Sequence, residues 1–206
     1  MAIILTNQTI HGNIHEEADK IIKQFNTNDC MIDQECLLAL MFSNYIPIYV
    51  PKIYNLHKDE GNVLLTMEKI TGKTFREFLK DKHNISIKYK VVMQMLDSLQ
   101  LIHKLGYCHK DLHDENIIIT DNYNVKIIDF GCTQKITEDG IYDDYMYMYT
   151  HISHLLFEID ASMEDILYVT DNLGPEDVVC NEDEYNTDLS CLLYNILENI
   201  YIDNNL

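Results

Sequence analysis

Two short stretches of this chain concentrate the side chains that could do chemistry. Residues 109–119 read HKDLHDENIII, and residues 125–131 read VKIIDFG. The first sets a carboxylate, Asp111, five positions before the amide of Asn116; the second ends in Asp129 ahead of Phe130 and Gly131. The isoleucines 117–119, the turn residues 121–124 and the apolar run from Val125 predict a β-hairpin. A hairpin brings its outer ends together, so Asn116 and Asp129 fall side by side. Carboxylate and amide oxygens are hard ligands suited to Mg2+. A further carboxylate can orient a hydroxyl or take its proton. With a cation to hold the phosphates, these are the parts a phosphoryl transfer needs.

The elements upstream must supply that cation. Residues 20–25, KIIKQF, have the composition of a strand. Lys20 and Lys23 are three apart on it, so they face opposite sides and only one can enter a cleft. Lys23 shares a face with Ile21. A helix is predicted over residues 30–44, capped by Asp29, with Ile32, Leu37, Leu38 and Met41 at helical spacing. It carries Glu35, the candidate ion-pair partner of the lysine, with Glu16 and Glu17 as the other candidates. Residues 50–54 and 63–67 read as two strands around a turn at 58–62, followed by a hinge or connector at 71–73. A short helix capped by Thr74 runs to Lys80. A long one capped by Ser86 buries Val92, Met95, Leu99 and Ile102 and stops at Gly106. Beyond Gly131 the chain reads as helical over roughly 142–158, 162–170 and 187–202, with Gly174-Pro175 as a break. The organisation is therefore strands plus one helix in residues 1–70, then a mainly helical half, 71–206, holding one hairpin.

His109-Lys110-Asp111 with Asn116, followed by Asp129-Phe130-Gly131 across a strand–turn–strand, resembles the catalytic loop and metal-binding motif of the protein kinase-like superfamily. The resemblance implies an α+β, two-lobed fold: a small β-rich N-lobe with one helix and a minimal helical C-lobe. It implies ATP and Mg2+ as cofactors, Asp111 as catalytic base, and Asn116 and Asp129 as metal ligands. Lys23 with Glu35 would hold the phosphates, and the connector Met67-Glu68-Lys69-Ile70 would meet adenine. His113 stands where many protein kinases carry Lys, and the D-L-H-x-x-N spelling is more like the aminoglycoside and choline phosphotransferases. The glycine-rich loop is nearly missing, since Gly12 is the only glycine before Lys23, and no convincing A-P-E follows the D-F-G. The short front and small helical half look similar to the RIO kinases and the kinase subunit of the KEOPS complex. The implied activity is serine/threonine protein kinase; a small-molecule kinase or a nucleotide-binding pseudokinase scaffold are the alternatives.

Composition narrows the classes. Hydrophobic residues make up 47% of 206, enough for a packed core. No run is long enough to suggest a signal peptide or a membrane span, and the six cysteines form no C-x-x-C pair. A cytoplasmic protein with reduced thiols is the expectation. The formal charge of −19 is uneven: residues 129–206 hold 18 acids against one Lys, a net of −17. Such a half repels nucleic acid and attracts basic segments, so the expected partners are protein substrates with basic flanks or a basic protein docked on the helical half.

Overall fold

The computed structural model describes residues 6–9, 12–26, 30–59 and 61–157. Within them, strands β1 (Thr6–Thr9), β2 (Gly12–Glu16), β3 (Lys20–Asn26), β4 (Ile53–Asp59) and β5 (Asn62–Glu68) form one antiparallel sheet, ordered β1-β2-β3-β5-β4. Helix α1 (Cys30–Tyr45) joins β3 to β4. Its inward stripe is Glu35, Leu38, Ala39 and Phe42, spaced i, i+3, i+4 and i+7, which is one face of a helix. Leu37 lies off that stripe and is 60% exposed, against the expectation of a buried position. Asp29, the expected cap, and the side chain of Ile32 lie outside the described residues.

Strands β1 and β2 were not legible in the sequence. The stretch ahead of β3 is polar, yet β1 and β2 add to the sheet through backbone pairing, with Ile14 opposite Lys23. The hairpin β4–β5 is also tighter than expected. Its first strand runs on through Lys58 and Asp59, and Gly61 takes up the turn with φ +101°.

Past the sheet, β6 (Gly72–Thr74) pairs with β8 (Ile117–Thr120), which pairs with β9 (Val125–Ile127). The sequence reads 71–73 only as a connector. The pairing depends on Gly72: a Cβ there would sit 2.3 Å from the carbonyl oxygen of Ile119, so any side chain would push the strands apart. Thr74 caps α2 (Phe75–Phe78) in a reciprocal capping box with Glu77. Helix α3 (Ile85–Lys104) is capped by Asn84, not Ser86: the Asn84 side chain accepts the Ile87 amide at 2.9 Å from an extended backbone. Its buried face holds Val92, Met95, Leu99 and Ile102, as their spacing requires, and Gly106 at φ +85° ends it.

A two-residue pairing, β7 (Tyr107–Cys108) with β10 (Gln134–Lys135), brackets the motif region. Helix α4 (Glu138–Phe157) starts four residues before the expected 142. Thr137 accepts the Gly140 amide at 3.0 Å, and Gly140 lies so close to Cys108 that a Cβ would meet its sulfur at 2.9 Å. Gly140 sits inside the first turn because that contact has no room for a side chain. The expected helices 162–170 and 187–202 and the Gly174-Pro175 break lie outside the described residues. One continuous core runs from the five-stranded sheet through α1 to α3, the hairpin β8–β9 and α4. No described helix is long and apolar enough to cross a membrane, and the described cysteines 36, 108 and 132 form no disulfide.

Candidate active site

Register decides which lysine enters the interior. On β3, Ile21, Lys23 and Phe25 share one face, and Lys23 stands opposite Leu65 of β5. Its ammonium lies 3.0 Å from Glu35 Oε1 on α1 and 3.2 Å from Asp129 Oδ2 just past β9. Lys20 lies on the other face. Of the three candidate glutamates, the structure brings Glu35 to Lys23, while Glu16 pairs with Lys69. Burial lowers the Lys23 pKa, but the two carboxylates outweigh it and hold the ammonium above its ordinary value. Burial likewise raises Asp129, and Lys23 overrides it to keep the carboxyl below the usual range. Lys23 and Asp129 therefore stay charged near neutrality. A Cβ on Gly131 would lie 3.4 Å from both the Asp129 and Glu35 carboxylates, so glycine leaves this charged corner open.

The same corner closes one end of a cleft of about 340 Å³. Ile21 and Leu65 line it from the large sheet, and Ile118 and Ile128 from the hairpin. Met67, Glu68, Lys69 and Ile70 line it where the chain leaves β5. The Lys69 amide is taken by the Asp19 carbonyl at 3.2 Å, whereas the Ile70 amide has no partner among the described residues. An apolar slot with an unsatisfied backbone donor at one end and fixed charges at the other suits a flat heterocycle joined to an anionic tail.

The catalytic-loop candidates sit at the mouth of the hairpin. Asn116 donates from Nδ2 to the Asp111 carbonyl at 2.8 Å and to Asp111 Oδ2 at 3.1 Å. Both bonds use the amide nitrogen, so Oδ1 remains for another partner. The Asn116 carbonyl accepts the Ile128 amide at 3.0 Å, which ties it to the residue preceding Asp129. His113 Nδ1 accepts the Glu115 amide at 3.2 Å, so its proton lies on Nε2, 3.7 Å from Asp111 Oδ2. Asp111 and His113 are both about one-third exposed, open to an incoming group.

Supporting residues that the sequence does not single out fix this loop. Asp144 of α4 is fully buried and accepts the His109 amide at 2.8 Å, the Lys110 amide at 2.7 Å and His103 Nε2 at 2.9 Å. It thereby holds Lys110 at φ +67°, a left-handed conformation that costs about 1–3 kcal/mol without such support. Asp129 is left-handed too, at φ +64°. His109 is buried against Phe130 and bonds both ends of its ring, accepting the Asp111 amide at Nδ1 and donating from Nε2 to the Ile128 carbonyl at 3.2 Å. Phe42 of α1 lies 4.8 Å from Phe130, so the helix carrying Glu35 leans on the segment carrying Asp129. In sequence, Asp144 looks like one more acid in an acidic helix; only its burial marks it.

Burial pushes His109 and His151 below the ordinary imidazole value; His151 donates to the Leu112 carbonyl at 2.7 Å. Unfolded, each ring takes up a proton near pH ~6.5, and folded it resists doing so. The unfolded chain then binds more protons, so stability falls as pH drops below about 6.5, by up to ~1.36 kcal/mol per unit for each ring. The thermal midpoint is expected to be clearly lower at pH 5.5 than at pH 7.5. An unchanged midpoint would mean that both rings protonate in place.

Comparison with known proteins matches this arrangement. A serine/threonine-protein kinase of Schizosaccharomyces pombe, ppk35, is 34% identical over 91 residues, 43% of this chain and 14% of that protein. The probable serine/threonine-protein kinase CA_C1728 of Clostridium acetobutylicum is 32% identical over 96 residues, 45% of this chain and 14% of its own length. PknL of Mycobacterium tuberculosis is 33% identical over 91 residues, 43% of this chain and 23% of its own. The chain thus spans less than a quarter of the length of these relatives. The protein kinase domain model matches residues 13–153, from β2 through the catalytic loop to α4. With that match covering well over half of its residues, the chain belongs to the protein kinase domain family.

Proposed function

We propose that the chain is an ATP- and Mg2+-dependent serine/threonine protein kinase, built as a small β-rich N-lobe, residues 1–70, and a minimal helical C-lobe, 71–206. The observation that carries this reading is the ion-pair triad Lys23–Glu35–Asp129 at one end of the cleft, with Asn116, bonded to Asp111, tied through its carbonyl to Ile128 just ahead of Asp129. Adenine fits the apolar slot, with the Ile70 amide as its donor. Lys23, held by Glu35, is placed for the phosphates. Asn116 Oδ1 and the Asp129 carboxylate are the hard oxygens that would hold Mg2+, whose charge screens the phosphates. Asp111 accepts the proton of the incoming hydroxyl as its oxygen bonds to the γ-phosphorus and ADP departs.

Lys23→Met should cut transfer by about 10²–10³-fold, in the range of losing one preorganised electrostatic contact. Lys20→Met, on the other face of β3, should change it by less than about twofold. Steady-state rates with labelled ATP compare the two, and the reverse ranking would move the phosphate contact to Lys20.

The acid-rich C-terminal region favours substrates with Lys or Arg beside the acceptor, because a negative field concentrates basic segments. Phosphorylation of histone-like proteins should exceed that of casein-like ones at low salt, with the gap closing as salt screens charges over ~8–10 Å. Equal rates at low salt would remove charge from substrate choice. His113 beside Asp111 favours a second reading, a small-molecule kinase. The same assay with aminoglycosides and choline as acceptors separates the two, and transfer to those alone would replace the protein-kinase reading.

A further inference from the structure

The charge map of the described residues differs from that of the whole chain. Residues 71–157 hold 12 acids against 10 Lys and Arg, whereas residues 158–206 hold 13 acids and no Lys or Arg. The described part also carries a basic concavity away from the active site. It is a groove of about 460 Å³ between the α2–α3 connection and the last turn of α4, lined by Lys80, Lys82, His83, Lys88, His154 and Leu155. The acid in its lining, Asp81, is already paired to Lys73 at 2.5 Å. Neither Lys80 nor Lys82 has a carboxylate within ion-pair distance among the described residues. His83 is fixed in the wall, stacked 3.7 Å from the Phe78 ring and bonded to its carbonyl at 2.9 Å. Lys80 and Lys82 thus leave the groove a surplus of positive charge on a chain of net −19.

We infer that this groove docks the chain's own acidic segment 158–165. Four of those eight residues are acids: Glu158, Asp160, Glu164 and Asp165. His154 and Leu155 line the groove, and Glu158 follows His154 by only four positions. At no more than about 3.6 Å per residue, Glu158 and Asp160 cannot stray further than roughly 14–22 Å from His154. That tether keeps the local carboxylate concentration in the millimolar range, well above that of an acidic segment in another molecule. The paired charges form a small network at one place, which is where surface ion pairs contribute measurably. Docking would hold the end of α4 against the α2–α3 connection. It would also neutralise part of the acidity otherwise open to basic partners. None of this depends on catalysis, so it stands or falls separately from the kinase reading.

Zero-length carbodiimide coupling of the full chain, followed by peptide mass spectrometry, tests it. At low salt, Lys80, Lys82 or Lys88 should become joined to Glu158, Asp160, Glu164 or Asp165 within the monomer, and the links should vanish in 1 M NaCl. Coupling of these lysines only to Asp81, or only in a dimer band, would overturn the assignment; the latter would name a second copy as the occupant. Cleavage by a Glu-specific protease after Glu158 and Glu164 gives a second measure. Lys80→Glu with Lys82→Glu, both exposed side chains, should speed it by about tenfold. The charge-swapped chain that adds Glu158→Lys, Asp160→Lys and Glu164→Lys should regain its low-salt cross-links with the polarity reversed. Unchanged cleavage in the double variant, or no links in the swapped chain, would refute the docking.

Discussion

Replacing Asp129 by asparagine is expected to abolish phosphoryl transfer, with a loss of at least about a thousandfold. The change keeps the size of the side chain and removes its charge. The kinase reading gives that charge two tasks. It pairs with Lys23 at 3.2 Å, and it follows Ile128, whose amide bonds the Asn116 carbonyl, where a divalent cation would need it. Metal-bound phosphate stabilisation amounts to several kcal/mol, and ~4 kcal/mol corresponds to about three decades in rate. The fold should survive, because Asp129 is 44% exposed and the loop is anchored independently by Asp144 and His109. Turnover with labelled ATP, alongside nucleotide binding with and without Mg2+, checks this. Metal-dependent nucleotide binding should disappear with turnover. Retention of wild-type turnover would remove Asp129 from the metal site.

Asp111→Ala should give the second large effect, of a different kind. Its carboxylate is about one-third exposed, next to Asn116 and His113, and it lines none of the nucleotide cleft. A group that acts on the incoming hydroxyl contributes about 10²–10⁴-fold to the rate and nothing to nucleotide affinity. The variant should therefore lose kcat over that range while its Kd for ATP changes by less than about threefold. One complication is built into the loop. Asn116 Nδ2 donates to the Asp111 carboxylate as well as to its carbonyl, so removing the carboxylate frees one of two bonds on a candidate metal ligand. The surviving bond to the main-chain carbonyl, at 2.8 Å, should keep Asn116 in place. Equal loss of ATP binding and turnover would instead assign Asp111 a structural role.

The sequence by itself determined the family motifs and the coarse placement of their residues. His109-Lys110-Asp111, Asn116 and Asp129 are close in the chain, and a hairpin whose strands pair residue by residue leaves their ends little freedom. The strand lysine and the buried face of α3 were legible for the same reason: periods of 2 and 3.6 are local properties of the backbone. Tertiary structure alone decided which long-range partners met. Lys23 bridges Glu35 and Asp129 because β3, α1 and β9 converge on one cleft, and no local rule fixes that convergence. Asp144 serves the catalytic loop only because α4 packs beside α3 and buries it, which turns an ordinary acid into an acceptor for two amides and a histidine. The same holds for the missed strands β1, β2 and β6. Their side chains carry little strand signal, and they exist because neighbouring backbones offer hydrogen bonds, which for β6 requires the absent side chain of Gly72. Local pattern sets which groups are present and which way they face; burial and non-local pairing decide which of them work together.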